Sequence, residues 1–292
     1  MACLSGRSNR GAVFAGKKLV FRGMVRILAA LGALALAAAA PAAAADEPTP
    51  PTTEELAAVQ LAVDRGRTLY EYDQAAWHTT DALREDVRDL AGSGIRGWVV
   101  TPTGDGWLVT YWKPEGDGFA GVYSAVWSKQ RVRQRKQLKG ESAVLTPEQL
   151  ALIAARNAVD ESGLMRCADS PFNTVVMPDE GGQVIFVYLL TPQTSTTSIP
   201  IGGHHRFTVR SGKVVEQRSF TKTCLELAIA TADRDEQPVA LGVSHLLDPV
   251  PTEIHVFSMF AARTPVFVMT APNERVWAVE ASGGQARVRT VR

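Results

Sequence analysis

Hydrophobic positions along this chain recur first every three to four residues and then every two, and that change of period marks out its elements. Residues 46–53 read Asp-Glu-Pro-Thr-Pro-Pro-Thr-Thr, a Pro-rich linker that should stay extended. At its end Thr52 and Glu55 stand at capping-box spacing. Leu56, Val59, Val63, Tyr70 and Trp77 follow at intervals of three, four and seven, which lines one helical face and predicts a helix to about Thr79. The same stripe holds Gly66 and Asp73. The helix should therefore pass close to another backbone at the first and place a carboxylate near the core at the second.

After Gly92 the period becomes two. Residues 98–101 and 107–112, joined by Thr103-Gly104-Asp105-Gly106, predict a hairpin, and further strands are expected near 119–127 and 131–138. Thr146, Pro147 and Glu148 signal a second helix with Leu150, Ile153, Ala154 and Val159 facing inward. Alternation returns in residues 172–177 and 183–190, then in 205–210 and 214–220, while the Thr- and Ser-rich residues 191–200 read as a loop. In the last third, 239–247, 265–270, 276–281 and 286–291 read as strands and 252–262 as a short helix.

This order predicts an α+β fold, with helices packed on antiparallel sheets in two or three helix-plus-strands units. The first unit covers residues 54–143, and the second covers 144–292 with the C-terminal strands. The helix–hairpin–hairpin order around residues 146–220 loosely resembles PepSY-type exported modules, but no specific motif carries the likeness and no family is assigned on it.

Composition adds compartment and charge. With 46% hydrophobic and 21% charged residues the chain has ordinary globular usage, which excludes a disordered or collagen-like protein. Residues 1–45 hold six Lys and Arg and no acid, so the remaining 247 residues carry 25 basic against 30 acidic groups, a net charge of −5. Nucleic-acid binding through a general basic field is thereby disfavoured. From Met24 a short basic start, an apolar run from Ile27 to Ala40 and the small residues ending at Ala45 form a secretory signal peptide (residues 24–45), with cleavage expected before Asp46. Contact with a membrane is expected only through that leader if it is retained. The expected location is periplasmic or secreted. Removal of Cys3 with the leader leaves Cys167 and Cys224, which should pair in an oxidising compartment.

Familiar catalytic motifs fail on context. Gly92 to Gly97 matches G-x-G-x-x-G but follows a helix and precedes a strand, the reverse of the dinucleotide fingerprint. Ser219 to Lys222 matches S-x-x-K on a predicted strand end, without the companion motifs of penicillin-recognising enzymes. No cofactor is expected. The histidines carry the remaining chemistry. His204 and His205 should point to opposite faces of a strand, with His205 packed inside and His204, beside Arg206, facing solvent or a partner. His245, Glu253 and His255 form an alternative metal set, provided that the segment is extended rather than helical.

Two surface features are candidates for ligand binding. Trp107, Val109 and Tyr111 share one strand face and form either a covered core or an open aromatic platform. Lys129, Arg131, Arg133 and Arg135 alternate, placing four cations on one face of a strand that either protects an edge or binds an anionic polymer. The function expected is that of an exported, soluble, non-enzymatic binding or scaffolding protein of a bacterial-type cell envelope, meeting an envelope component or a protein partner. The alternative is an exported hydrolase, with or without a metal, built on His204, His205, His245 or His255.

Overall fold

The computed structural model describes residues 49–179, 181–229 and 239–291; the expected leader and the start of the linker lie outside the described residues. The first helix, α1, covers Thr53–Asp86 and is closed at its N-terminus by the reciprocal Thr52–Glu55 capping box. At 1.5 Å per residue it is roughly 50 Å long, enough to serve as a shared wall for several sheets. Its buried face is Val59, Ala62, Gly66, Leu69, Tyr72 and the Ala75–Ala76 pair, whereas Leu56 and Trp77 are exposed. The expected stripe was thus rotated: small residues let neighbouring elements approach closely, and large ones at the ends of the stripe were not covered.

A four-stranded antiparallel meander follows, β1 (Gly97–Thr103), β2 (Gly106–Glu115), β3 (Gly118–Ser128) and β4 (Arg131–Gln137), in that order. One face sets Val100, Val109, Tyr111, Tyr123 and Ala125 against α1. The other sets Val99 and Trp112 against α2 (Pro147–Asn157), which begins at a second capping box, Thr146 with Gln149. Both faces being covered, the strands carry apolar residues at consecutive positions. Helix α2 buries Gln149, Leu152, Ile153 and Ala155, so Leu150 and Ala154 were misplaced by the sequence reading and lie exposed.

The second sheet pairs β5 (Asn173–Pro178), β6 (Ile185–Leu190), β8 (His205–Arg210) and β9 (Lys213–Ser219) in that order, all antiparallel. Residues 191–200 are not all loop, since β7 (Ser198–Pro200) forms a two-stranded ribbon with β10 (Glu226–Ala228). The disulfide Cys167–Cys224, with Cα atoms 5.4 Å apart, ties the segment before β5 to the segment after β9. Gly203, at φ +76°, lies against it: an added Cβ would stand 2.5 Å from Cys167 Sγ.

The last sheet contains β11 (Leu241–His245), β12 (Val266–Thr270), β13 (Arg275–Ser282) and β14 (Gln285–Thr290), with α3 (Glu253–Ala262) between β11 and β12. The β11–β12 pair is parallel, the one exception to antiparallel pairing among the described strands, because the chain crosses over through α3. Helices α1 and α3 meet at Gly66. A Cβ there would lie 2.6 Å from Glu253 O and 2.6 Å from Val256 Cβ, the close backbone approach that the sequence suggested. No helix among the described residues is long and apolar enough to cross a membrane.

Candidate functional site

A cleft of about 670 Å³ opens along α1. Tyr70, Asp73, Trp77, Thr80 and Arg84 follow helical spacing, so one stripe of α1 lines it. Trp98 of β1, Asn173–Val175 of β5, Ile199–Pro200 of β7, and Phe257 with Arg263 from α3 and its end close the other walls. These walls come from two sheets, the β7 strand and α3. Four of the lining side chains are aromatic, and Trp77 remains 58% exposed at the rim.

Asp73 is the chemically distinct group in this cleft. It is half-buried, and loss of water raises its carboxyl pKa to about 6; the Gln74 amide, donating over 3.4 Å, opposes that only weakly. Among the described residues it forms no ion pair, although Arg84 and Arg263 line the same cleft. Arg84 is engaged by Asp81 at 3.1 Å. Burial likewise raises the Tyr70 hydroxyl pKa, partly countered by Arg263. A carboxyl that ionises near neutrality beside aromatic faces can hold a cation or exchange a proton.

None of His204, His205, His245 or His255 lines this cleft, although His204 packs directly behind its wall residues Thr191, Pro200 and Phe257. His204 is fully buried, which corrects the expectation that it faces solvent. The Thr191 N–H donates to its Nδ1 at 3.1 Å, so the ring carries its proton on Nε2, which donates to Pro200 O at 3.1 Å. Desolvation depresses its pKa to about 4. His205 is buried on the opposite face, between Ser219 Oγ at 2.8 Å and Met165 O at 2.9 Å.

Arg206 is also buried rather than presented to a ligand. Its guanidinium donates to Glu253 at 2.6 Å, where the Tyr188 hydroxyl also donates at 3.1 Å, and it lies over the Phe186 ring. The polar face of β8 is therefore covered as far as Thr208, because α3 supplies the charge opposite Arg206 from 47 residues away, and only Arg210 at its end is exposed. The alternative metal set does not form. Glu253 and His255 begin α3 and so diverge, Glu253 is held by Arg206, and His255 Nδ1 accepts from the Thr252 N–H at 2.9 Å. His245 meets Asp248 at 2.7 Å, which in turn meets Arg218 at 2.6 Å. No group of three metal-ligating side chains converges among the described residues.

Tyr111 belongs to the core, its hydroxyl held by Thr79 at 2.9 Å and Thr80 at 2.8 Å, and Trp107 packs on Tyr72 with ring centres 4.8 Å apart. The strand face proposed as an open platform is thus the one that α1 covers. Arg131 and Arg133 are exposed on the edge strand β4. Their alternation does not continue, because the β3–β4 register shifts and Gln134 adopts φ +50°. The extra residue sends Arg135 to the α1 side, where it bonds Asp86 at 2.6 Å and Glu85 at 2.9 Å, while Lys136 takes the outer position.

The sequence pointed to Asp73 as a carboxylate near the core but gave it no role, and it missed Trp98, Asn173 and Arg263 as residues of the same cleft. Helical spacing was the available signal for the α1 stripe; nothing local marked the other walls. No family model matches the chain, and no curated protein matches it either.

Proposed function

We propose that the chain is an exported, soluble binding protein of the cell envelope that acts without catalysis and holds a small ligand in the α1 cleft. The observation that carries this reading is the half-buried Asp73 among aromatic side chains in a cavity of ligand size, about 670 Å³. The histidines on which a hydrolase would be built do not line that cavity and are buried and bonded to protein groups, which favours binding over hydrolysis. The Cys167–Cys224 bridge is compatible with an oxidising compartment, and the leader in residues 1–45 supports a periplasmic or secreted location.

The test is a ligand-observed NMR screen of amines, sugars and short peptides against the mature chain and its Trp98→Ala variant. Binders lost on that substitution, with the variant still folded, are expected. A screen without binders, or binders indifferent to Trp98, would overturn the cleft as the binding site. Fractionation of cells making the full chain should recover it outside the cytoplasm without residues 1–45.

A further inference from the structure

Asp73 differs from the other strongly desolvated acids of the fold. Glu253 is met by Arg206, and Asp248 by Arg218 and His245. Asp73 has no cation within ion-pair distance among the described residues, and neither cleft guanidinium contributes to its ionisation. Arg84 stands eleven residues further along α1, roughly 16 Å away along the axis, and Arg263 bears on the Tyr70 hydroxyl instead.

A partly desolvated carboxylate needs a countercharge, and the cleft that Asp73 lines also holds Tyr70, Trp77 and Trp98, side chains of a kind that is electron-rich on its ring faces. Those faces complement a cation and repel the acid itself. A primary ammonium needs three hydrogen-bond acceptors, whereas an alkylated ammonium needs only low-polarity contact and one opposite charge. Resting on the binding function above, we propose that the cleft takes an alkylated ammonium headgroup, its charge against Asp73 and its methyl groups against Tyr70, Trp77 and Trp98. The rest of the guest meets Asn173, Gln193 and Arg263, which suits a polar or anionic tail.

The experiment is calorimetric titration of the mature chain with choline, with its uncharged isostere 3,3-dimethylbutan-1-ol, and with n-butylamine. Choline should bind about tenfold more tightly than either, and Asp73→Asn should erase its advantage over the isostere while leaving the fold intact. Choline and isostere binding equally, both lost in Trp98→Ala, would overturn the ammonium assignment and leave the binding function standing. The amine binding best, or choline failing to bind, also overturns the assignment; the broader screen then judges the binding function separately. Vesicles of phosphatidylcholine set against phosphatidylglycerol separate a lipid headgroup from a free solute as the source, since only a headgroup reader is retained on the first.

Discussion

Replacing Asp73 with Asn should make the protein more stable, and the gain should depend on pH. The carboxyl pKa lies at about 6 in the folded chain against 3.8 as its ordinary value. Because the folded value is the higher, the native state favours the protonated acid. Stability is therefore full below pH 4, declines as pH rises from 4 through 6, and stays reduced above. Two pKa units correspond to about 3 kcal/mol, and water entering the open cleft lowers that to roughly 1–3 kcal/mol. Asparagine has the same shape, a similar helix propensity and no charge, so it removes the penalty while keeping the Gln74 contact. Urea unfolding at pH 8 should show Asp73→Asn more stable by that amount, with the difference shrinking to a few tenths of a kcal/mol near pH 4. Equal stability at both pH values, or a less stable variant at pH 8, would refute the claim that this carboxylate is desolvated and unpaired. The other titrating and charged groups that line the cleft are Tyr70 and Arg84 on α1 and Arg263 beyond α3; β1, β5 and β7 contribute none.

Gly66→Ala should destabilise by roughly 1–3 kcal/mol in thermal melts despite alanine's better helix propensity, because the new Cβ meets α3 backbone at 2.6 Å; a stabilised variant would place the α1–α3 crossing elsewhere. Arg206→Ala should cost about 3–5 kcal/mol by leaving Glu253 buried and unpaired, and a double variant with Glu253→Gln should recover part of that loss in denaturant titrations. His204→Ala and His205→Ala should each cost roughly 1–3 kcal/mol, since each buried ring is hydrogen-bonded through both nitrogens; a neutral His204→Ala would return that residue to the surface. Replacing both Cys167 and Cys224 with Ser should lower stability by about 4 kcal/mol or less, and thiol titration of the unfolded, unreduced chain should find neither cysteine free.

The elements of this fold were legible because each depends on local spacing. The Thr52 and Thr146 caps, the turn at Gly104–Asp105 and the two-residue period of β5, β6, β8 and β9 put most described helices and strands within a few residues of their expected places, while the short β7 and β10 were missed and α1 runs to Asp86, past its expected end near Thr79. The cysteine pairing was legible too, from an even count after the leader. What local spacing does not carry is which face of an element is covered. Alternation along β8 separates His204, Arg206 and Thr208 from His205, Phe207 and Val209, but polarity alone assigned the first set to solvent. Glu253 and Tyr188, contributed by α3 and β6, enclose the Arg206 guanidinium and make its surroundings interior. One residue at Gln134 likewise reversed Arg135, since a bulge leaves little trace in composition.

The cleft shows the division most clearly. Helical period alone placed Tyr70, Asp73 and Trp77 on one stripe of α1, so the sequence determined that a carboxylate and aromatic side chains would travel together. Only the tertiary structure decided that the stripe would face Trp98, Asn173, Phe257 and Arg263, residues up to 190 positions from Asp73 that are brought there by β1, β5 and α3 packing along one long helix. The perturbed acid follows from that packing: desolvation depends on everything that surrounds a group in space, and a group's neighbours along the chain supply only a small part of it.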